Sequence, residues 1–136
     1  MKEKVFVDTD IIYDVLANRH PFYESAAKLF TMADEGKILI TISALSFANI
    51  HYLLVKELTS ELAKQTLRKF RILINIAPID DKIIDLSLNS DFNDFEDAIQ
   101  HFCAIENECG ILLTRNLRDY KMALIPVMTA QDYINL

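Results

Sequence analysis

Short runs of apolar residues, many of them β-branched, alternate with longer helical patterns along this chain. This alternation restricts the fold more than any other feature. Strand-like runs are predicted at residues 4–7, 37–42, 76–78, 111–114 and 125–127. Helical patterns fall at residues 22–35, 44–58, 61–74, 81–88 and 93–108, with one helical turn at 130–134. Strands that alternate with helices form a parallel sheet, so the sequence predicts an α/β fold.

The residues that border the helices support these boundaries. Ser43 is a predicted N-cap of the helix at 44–58, and Ser60 of the helix at 61–74. Asn93 and Glu96 have the spacing of a capping box at the start of the helix at 93–108. The helices at 22–35 and 93–108 are each followed by a glycine, as expected at a helix C-terminus. These are the only two glycines in the sequence, so glycine-rich phosphate-binding loops are excluded.

Length and charge set further limits. The 136 residues, 51% of them hydrophobic, suit one domain spanning 1–136. The 14 Lys and Arg residues face 20 Asp and Glu residues, which gives a net charge of −6. A nucleic acid would therefore need a local basic patch or a metal ion for binding. Cys103 and Cys109 are expected to be buried, reduced thiols. Neither a signal peptide nor a membrane span is predicted, so we expect a cytoplasmic protein.

Polar side chains concentrate where the carboxyl ends of the predicted strands meet, which is where ligands bind in open α/β sheets. They are Asp8 and Asp10 after the first strand, Asp94 and Asp97 at a helix start, and Thr114, Arg115, Asn116 and Asp119 after a later strand. Each also has a structural interpretation, as an N-cap, a helix-dipole partner or a solvated loop residue. As a set, converging carboxylates repel one another unless a cation lies between them, and oxygen ligands favour Mg²⁺ or Mn²⁺.

Four segments together resemble the PIN-domain ribonucleases, a family that includes the VapC-type toxins of bacterial toxin–antitoxin pairs. They are VFVDTD at 5–10, ISALS at 42–46, DFEDA at 94–98, and LTRN at 113–116 followed by Asp119 and Tyr120. The resemblance covers essentially the whole chain. It implies a three-layer α/β/α fold with a central parallel sheet of four to five short strands. It also implies metal-dependent cleavage of single-stranded RNA, an antitoxin partner and a homodimer.

The resemblance also assigns roles to particular residues. The first acid of the family falls on Asp8, the third on Asp97 and the fourth ligand position around Asn116 and Asp119. Thr114 would hold the loop that carries this last position. The implied ligands of Mg²⁺ or Mn²⁺ are Asp8, Asp94, Asp97 and Asp119.

This chain departs from the family at Asn49, where a Glu is usual. An asparagine carbonyl oxygen can bind a metal or position a water, but it carries no charge. Asn116 is also neutral. We therefore expect weaker metal affinity than in an all-acid site, with Asp94 restoring part of the charge.

Basic residues and one histidine have two interpretations each. Arg115 and Arg118 are predicted phosphate contacts because they stand beside the acidic residues. Three cations on one predicted helix face form either a solvated surface or a phosphate track; they are Lys64, Arg68 and Arg71. His101, one turn after Asp97, is either a hydrogen-bond partner of a metal ligand, a base, or a partly buried histidine with satisfied hydrogen bonds, and the last is favoured.

Other functions remain open at this point. A catalytically degraded PIN domain would bind RNA or a protein without cleaving it, and Asn49 supports this alternative. In a haloacid-dehalogenase-like phosphatase, Asp8 would be the nucleophile and Asp10 the acid/base, but Ile11 stands where that family has a glycine. A receiver domain would need a phospho-accepting acid after a middle strand, where Asp80 reads as a helix cap. The apolar helix at 44–58 is expected in the core, with part of its surface available for self-association or an antitoxin helix.

Overall fold

The computed structural model describes residues 2–136, which form five strands, seven helices and one 3₁₀ turn. The strands are β1 (Glu3–Val7), β2 (Ile38–Ser43), β3 (Ile74–Ala77), β4 (Ile111–Leu113) and β5 (Val127–Met128). The helices are α1 (Thr9–Leu16), α2 (Tyr23–Asp34), α3 (Ala44–Glu57), α4 (Ser60–Arg71), α5 (Asp81–Leu88), α6 (Phe95–Glu106) and α7 (Ala130–Ile134). The 3₁₀ turn spans Leu117–Tyr120.

All five strands lie parallel in one sheet, in the order β3-β2-β1-β4-β5. Along the buried central strand β1, Val5 and Val7 pack with the core beneath α1, α2, α3, α4 and α7, whereas Phe6 packs with the core beneath α5 and α6. Successive side chains of a strand point to opposite faces, so helices cover both faces of the sheet. The predicted three-layer α/β/α fold is confirmed.

The strand order places a topological switch point between β1 and β4. From β1 the chain builds outward through β2 to β3, and then returns to add β4 on the other side of β1. The backbone N–H of Asp8 donates to the Leu113 carbonyl across 2.9 Å, which holds the two strand ends together. Because ligands bind at such switch points, the residues that follow β1 and β4 are placed where chemistry is expected.

Helix starts differ from the prediction by single residues. Thr59, not Ser60, caps α4, and Asp94, not Asn93, caps α6. In both places two neighbouring residues have cap-forming side chains, and only the backbone conformation selects between them. Residues 9–16, where no helix is predicted, form α1, and Asp8 is its N-cap.

The two glycines have different roles. Gly36 has a φ of 77° directly after α2, so it is the left-handed glycine that the sequence predicts. After α6 the left-handed residue is Glu108, with a φ of 59°, and the predicted helix end at Gly110 is wrong. The Gly110 N–H donates to the Lys4 carbonyl, so Gly110 already lies beside β1 at the start of β4.

Both cysteines are buried and free, as predicted. Burial raises the pKa of the Cys103 thiol to about 12. Across residues 2–136, every helix is too short or too polar to cross a membrane.

We expect Gly36→Ala to lower the free energy of unfolding by roughly 1 kcal/mol, because a Cβ strains the left-handed conformation. Gly110→Ala is the matched control, since its φ is not in that region and an added Cβ meets no atom within 4 Å. Urea unfolding of both variants measures the difference. Equal effects at the two positions would contradict the assignment of Gly36 as the strained position.

Candidate functional site

The carboxylate of Asp8, 7% exposed, is held by four donors at the carboxyl end of β1. Its Oδ1 accepts from the Thr9 backbone N–H at 2.8 Å and from Gln100 Nε2 at 2.9 Å. Its Oδ2 accepts from Thr114 Oγ1 at 2.9 Å and from the Tyr120 hydroxyl at 3.0 Å. The donors come from α1, α6, the β4 loop and the 3₁₀ turn, so Asp8 ties four segments together. Hydrogen bonds to an ionised group are about twice as strong as neutral ones.

Gln100 links Asp8 to the start of α3. Its Nε2 also donates to Ser46 Oγ at 2.7 Å, and its Oε1 accepts from Ser43 Oγ. Ser46 Oγ lies 2.7 Å from Thr9 Oγ1, which closes a network of buried or half-buried polar side chains. Satisfied buried networks of this kind fix side-chain positions. Sequence reasoning missed Gln100, although its position three residues after Asp97 on the same helix was an available signal.

Asp97 lies next to Asp8, with the Tyr120 hydroxyl between them. This hydroxyl is 3.0 Å from Asp8 Oδ2 and 3.4 Å from Asp97 Oδ1. Burial raises the pKa of Asp97 to about 7, and the charges of Asp94, Asp8 and Asp119 add to the rise, against the lowering effect of the Tyr120 hydrogen bond. The raised pKa means that negative charge at this point is poorly compensated.

Asp10 contributes a second uncompensated carboxyl group. Its Oδ2 accepts from the Arg115 backbone N–H at 2.9 Å and lies 3.4 Å from Thr114 Oγ1. Burial, followed by the charge of Asp8, raises the pKa of Asp10 to about 6. Thr114 thus contacts both acids of the first strand end, and because it is fully buried it does not offer the substrate contact predicted for it.

Four carboxylates, three amides and one cation line one cleft of about 360 Å³; they are Asp8, Asp10, Glu96, Asp97, Asn49, Gln100, Asn116 and Arg19. Asn49 is half-buried on α3, and Asn116 is exposed on the loop after β4. The structure therefore brings together the side chains that follow β1 and β4, the start of α6 and α3. We call this the acidic cleft.

Asp119 and Arg118 lie elsewhere. Together with Asp94 they line a neighbouring cleft of about 380 Å³ that shares only Asp97 with the acidic cleft. The charge of Asp119 still reaches Asp97 and contributes to its raised pKa. The sequence grouped these acids into one site, whereas the structure distributes them over two adjoining clefts.

Arg115 is engaged by a buried acid that sequence reasoning missed. Its Nε and Nη2 lie 2.7 Å and 3.2 Å from the two carboxylate oxygens of Asp14, which is 1% exposed. Its guanidinium also stacks 3.9 Å from the centre of the Phe22 ring. Removing a partner of a buried ion pair is costly, so this guanidinium is a structural partner of Asp14. Arg115 contributes to the acidic cleft through its backbone N–H, which donates to Asp10.

His101 has the structural role that the sequence favours, but it is fully rather than partly buried, and its Nδ1 has no hydrogen-bond partner among the described residues. It is fully buried against Phe92 and Phe102, and its Nε2 accepts from the Leu124 backbone N–H at 2.9 Å. Burial lowers its pKa to about 4, so the ring is neutral near pH 7. It therefore anchors the loop before β5.

The acidic cleft offers oxygen ligands in a sparse arrangement. Within residues 2–136, no three His, Cys, Asp or Glu side chains form a group that could hold a metal ion by themselves. Mg²⁺, however, keeps several waters and is commonly bound through one or two carboxylates. The Asp8 and Asp97 pair, with the Asn49 amide in the same cleft, fits an ion of that kind.

Comparisons with known proteins agree with this geometry. A family model described as PIN domain matches residues 4–118. A toxin–antitoxin complex from Klebsiella pneumoniae is 23% identical, with a TM-score of 0.70, over 93% of this chain and 97% of that one. VapBC2 from Rickettsia felis, solved with a DNA fragment from its promoter, is 18% identical, with a TM-score of 0.64, over 92% and 96%.

A third solved structure, the sarcin-ricin loop cleaving toxin VapC20 of Mycobacterium tuberculosis, is 14% identical. Its TM-score is 0.63, over 79% of this chain and 86% of that one. No curated protein matches the chain. At these identities, the solved structures establish a shared fold.

We expect Asp97→Asn to reduce the pH dependence of stability in chelator-treated protein. The folded-state pKa of about 7 lies above the ordinary value of 3.8, so the folded state keeps a proton that the unfolded chain releases between these values. The free energy of unfolding of the native protein therefore falls as pH rises through that range. The variant has no such proton, so its advantage over the native protein grows with pH.

Urea unfolding at about pH 6 and pH 8 measures this change. Asp85→Asn, the same substitution at an exposed position on α5, is the control and should follow the native protein. If Asp97→Asn also follows the native protein at both values, Asp97 is not under charge repulsion.

Proposed function

The chain belongs to the PIN-domain family, and from this membership together with the acidic cleft we propose that it is a metal-dependent endoribonuclease acting on single-stranded RNA. The proposal depends on one observation, that the carboxylates of Asp8 and Asp97 lie 3.0 Å and 3.4 Å from the same Tyr120 hydroxyl. Family membership also argues against the phosphatase and receiver-domain alternatives, because both belong to other families.

In this proposal Asp8 and Asp97 hold Mg²⁺ or Mn²⁺, with the Asn49 carbonyl oxygen as a neutral third ligand. The raised pKa values of Asp97 and Asp10 support this, because a cation stabilises the charged carboxylates that burial, followed by neighbouring negative charge, disfavours. When bound, the ion supplies positive charge against the negative charge that builds on a scissile phosphate. Asp94 and Asp119 add negative charge behind Asp97.

The other residues of the cleft position these groups. Gln100, Thr114 and Tyr120 hold the Asp8 carboxylate in one orientation through their three hydrogen bonds. A carboxylate held in this way does not reorganise when substrate arrives, which is the basis of electrostatic preorganisation. The Asn116 amide, exposed at the mouth of the cleft, is placed to orient a water or a phosphate oxygen.

We also propose that the protein is the toxin of a type II toxin–antitoxin pair. Support comes from the Klebsiella and Rickettsia complexes that share its fold. An apolar groove of about 420 Å³ between α1, α2 and α4 offers a surface for an antitoxin segment, with Leu62 at its rim 48% exposed. For the proposed homodimer, α3 exposes a second apolar surface at Tyr52 and Val55.

A second candidate is a PIN domain that binds RNA without cleaving it. Two observations favour it. Asn49 gives the cleft one negative charge fewer than the usual family pattern. The Asp8 carboxylate already accepts four hydrogen bonds, so a metal must compete with these donors for its oxygens. Cleavage measured directly separates the two candidates.

We expect Mn²⁺-dependent cleavage of end-labelled single-stranded RNA, lowered at least about 100-fold in both Asp8→Asn and Asp97→Asn, because each substitution removes a charged metal ligand. Asp85→Asn is the control for the same change at an exposed site, and chelator should abolish the activity of the native protein. Equal RNA degradation by the native protein and both cleft variants would identify a contaminating nuclease. Metal-independent binding of intact RNA would favour the second candidate.

A further inference from the structure

The acidic cleft offers few cations to a phosphate. Arg115 pairs with the buried Asp14, and Arg19, which lines the cleft and is half-exposed, lies 3.9 Å from the same carboxylate. Arg118 and Lys121 line the neighbouring cleft, which also holds Asp91, Asp94, Asp97 and Asp119. In a chain of net charge −6, an RNA strand therefore finds little attraction here apart from a metal ion. Additional phosphate contacts must come from another surface.

A second cleft, of about 550 Å³ between α3 and α4, has the opposite charge. Its rim is basic, with Lys64, Arg68 and Arg71 exposed on α4, and no acid lines it. Arg71 is fixed in place by a hydrogen bond from Nη1 to the Ile74 carbonyl at 3.0 Å. The nearest opposing charge in the described chain is Glu61, 3.9 Å from Arg68, with both side chains largely exposed. A surface ion pair of this kind is weak and is readily exchanged for a phosphate contact.

The arrangement of these residues suits a single nucleic-acid strand. The three cations lie at positions i, i+4 and i+7, so they form one row spanning about 10 Å of the helix. Across the cleft, α3 presents Phe47 and His51 at i and i+4, which places two rings on the same face. A row of cations beside aromatic rings is how proteins bind single strands, with phosphates on the cations and bases against the rings.

The cleft between α3 and α4 is separate from the acidic cleft. The two are lined by different faces of α3, the first by Phe47, Ala48 and His51 and the second by Leu45, Asn49 and Leu53. With 3.6 residues per turn, these two sets point about 150° apart around the helix.

We propose that the cleft between α3 and α4 is a second binding site for single-stranded RNA, separate from the acidic cleft. This inference rests on the proposed RNA substrate and extends it to a surface that contains no proposed metal ligand. An acidic peptide is also complementary to the basic rim. The paired rings and the regular row of cations favour RNA.

Binding of a fluorescein-labelled RNA of about 16 nucleotides and mixed sequence, measured by fluorescence anisotropy in chelator, tests the proposal. We expect Arg68→Glu to weaken binding about tenfold, because a phosphate contact becomes a repulsion. The slope of log Kd against log salt should fall by roughly 0.7. Lys69→Glu is the matched control, since it makes the same charge change on the same helix but lines the apolar groove between α1, α2 and α4. It should change binding less than about twofold.

Equal effects of Arg68→Glu and Lys69→Glu would overturn the proposal, since net charge alone would then explain them. A labelled peptide of alternating Glu and Leu is the competing probe. If Arg68→Glu weakens peptide binding and leaves RNA binding unchanged, the cleft docks a protein and the proposal is wrong. Cleavage activity is measured separately, so RNA binding that depends on Arg68 without any cleavage supports this site and contradicts the nuclease proposal. If RNA is cleaved but its binding does not depend on Arg68, the nuclease proposal is supported and the proposed binding site is contradicted.

Discussion

The buried carboxylate of Asp8 is the interaction on which the rest of the site depends. An ionised group removed from water is tolerated only when donors replace the lost hydration, and here four donors do so. Three of them belong to segments far from Asp8 in sequence, namely the middle of α6, the loop after β4 and the 3₁₀ turn. The same four hydrogen bonds therefore stabilise the charge and align the walls of the acidic cleft.

Asp97 and Asp10 show what remains uncompensated once Asp8 is satisfied. Their pKa values of about 7 and about 6 reflect burial beside like charges that the available donors do not offset. Of the nearby cations, Arg115 is already paired with Asp14, and Arg19 lies 3.9 Å from the same carboxylate. The structure thus separates two functions: one ion pair anchors the loop after β4, and the acidic cleft retains an excess of negative charge. A divalent cation in the cleft, and RNA phosphates on the α4 cations, would each meet a complementary surface.

Sequence predicts most of the fold because strand and helix patterns repeat over many residues. It also predicts that Asp8 and Asp97 belong to one site, because both belong to segments whose order matches the PIN-domain pattern. Gln100 and Asp14 were missed, and Tyr120 was noted only within a motif, because a hydrogen bond between distant side chains depends on packing that no local pattern records. Likewise, the sequence predicts Arg115 to contact phosphate, because its pairing with the buried Asp14 is visible only in the structure. The sequence also could not predict that the acids are divided between two clefts that share only Asp97, because this division depends on the assembled surface.

Calorimetric titration of Mn²⁺ into the native protein and into Asn49→Glu tests the central claim, that the acidic cleft holds excess negative charge suited to a divalent ion. We expect saturable binding to the native protein and tighter binding to the variant, because a further carboxylate enters the same cleft. If the native protein takes up no Mn²⁺ at millimolar concentration and the added carboxylate changes nothing, the cleft is not a metal site and the account is wrong.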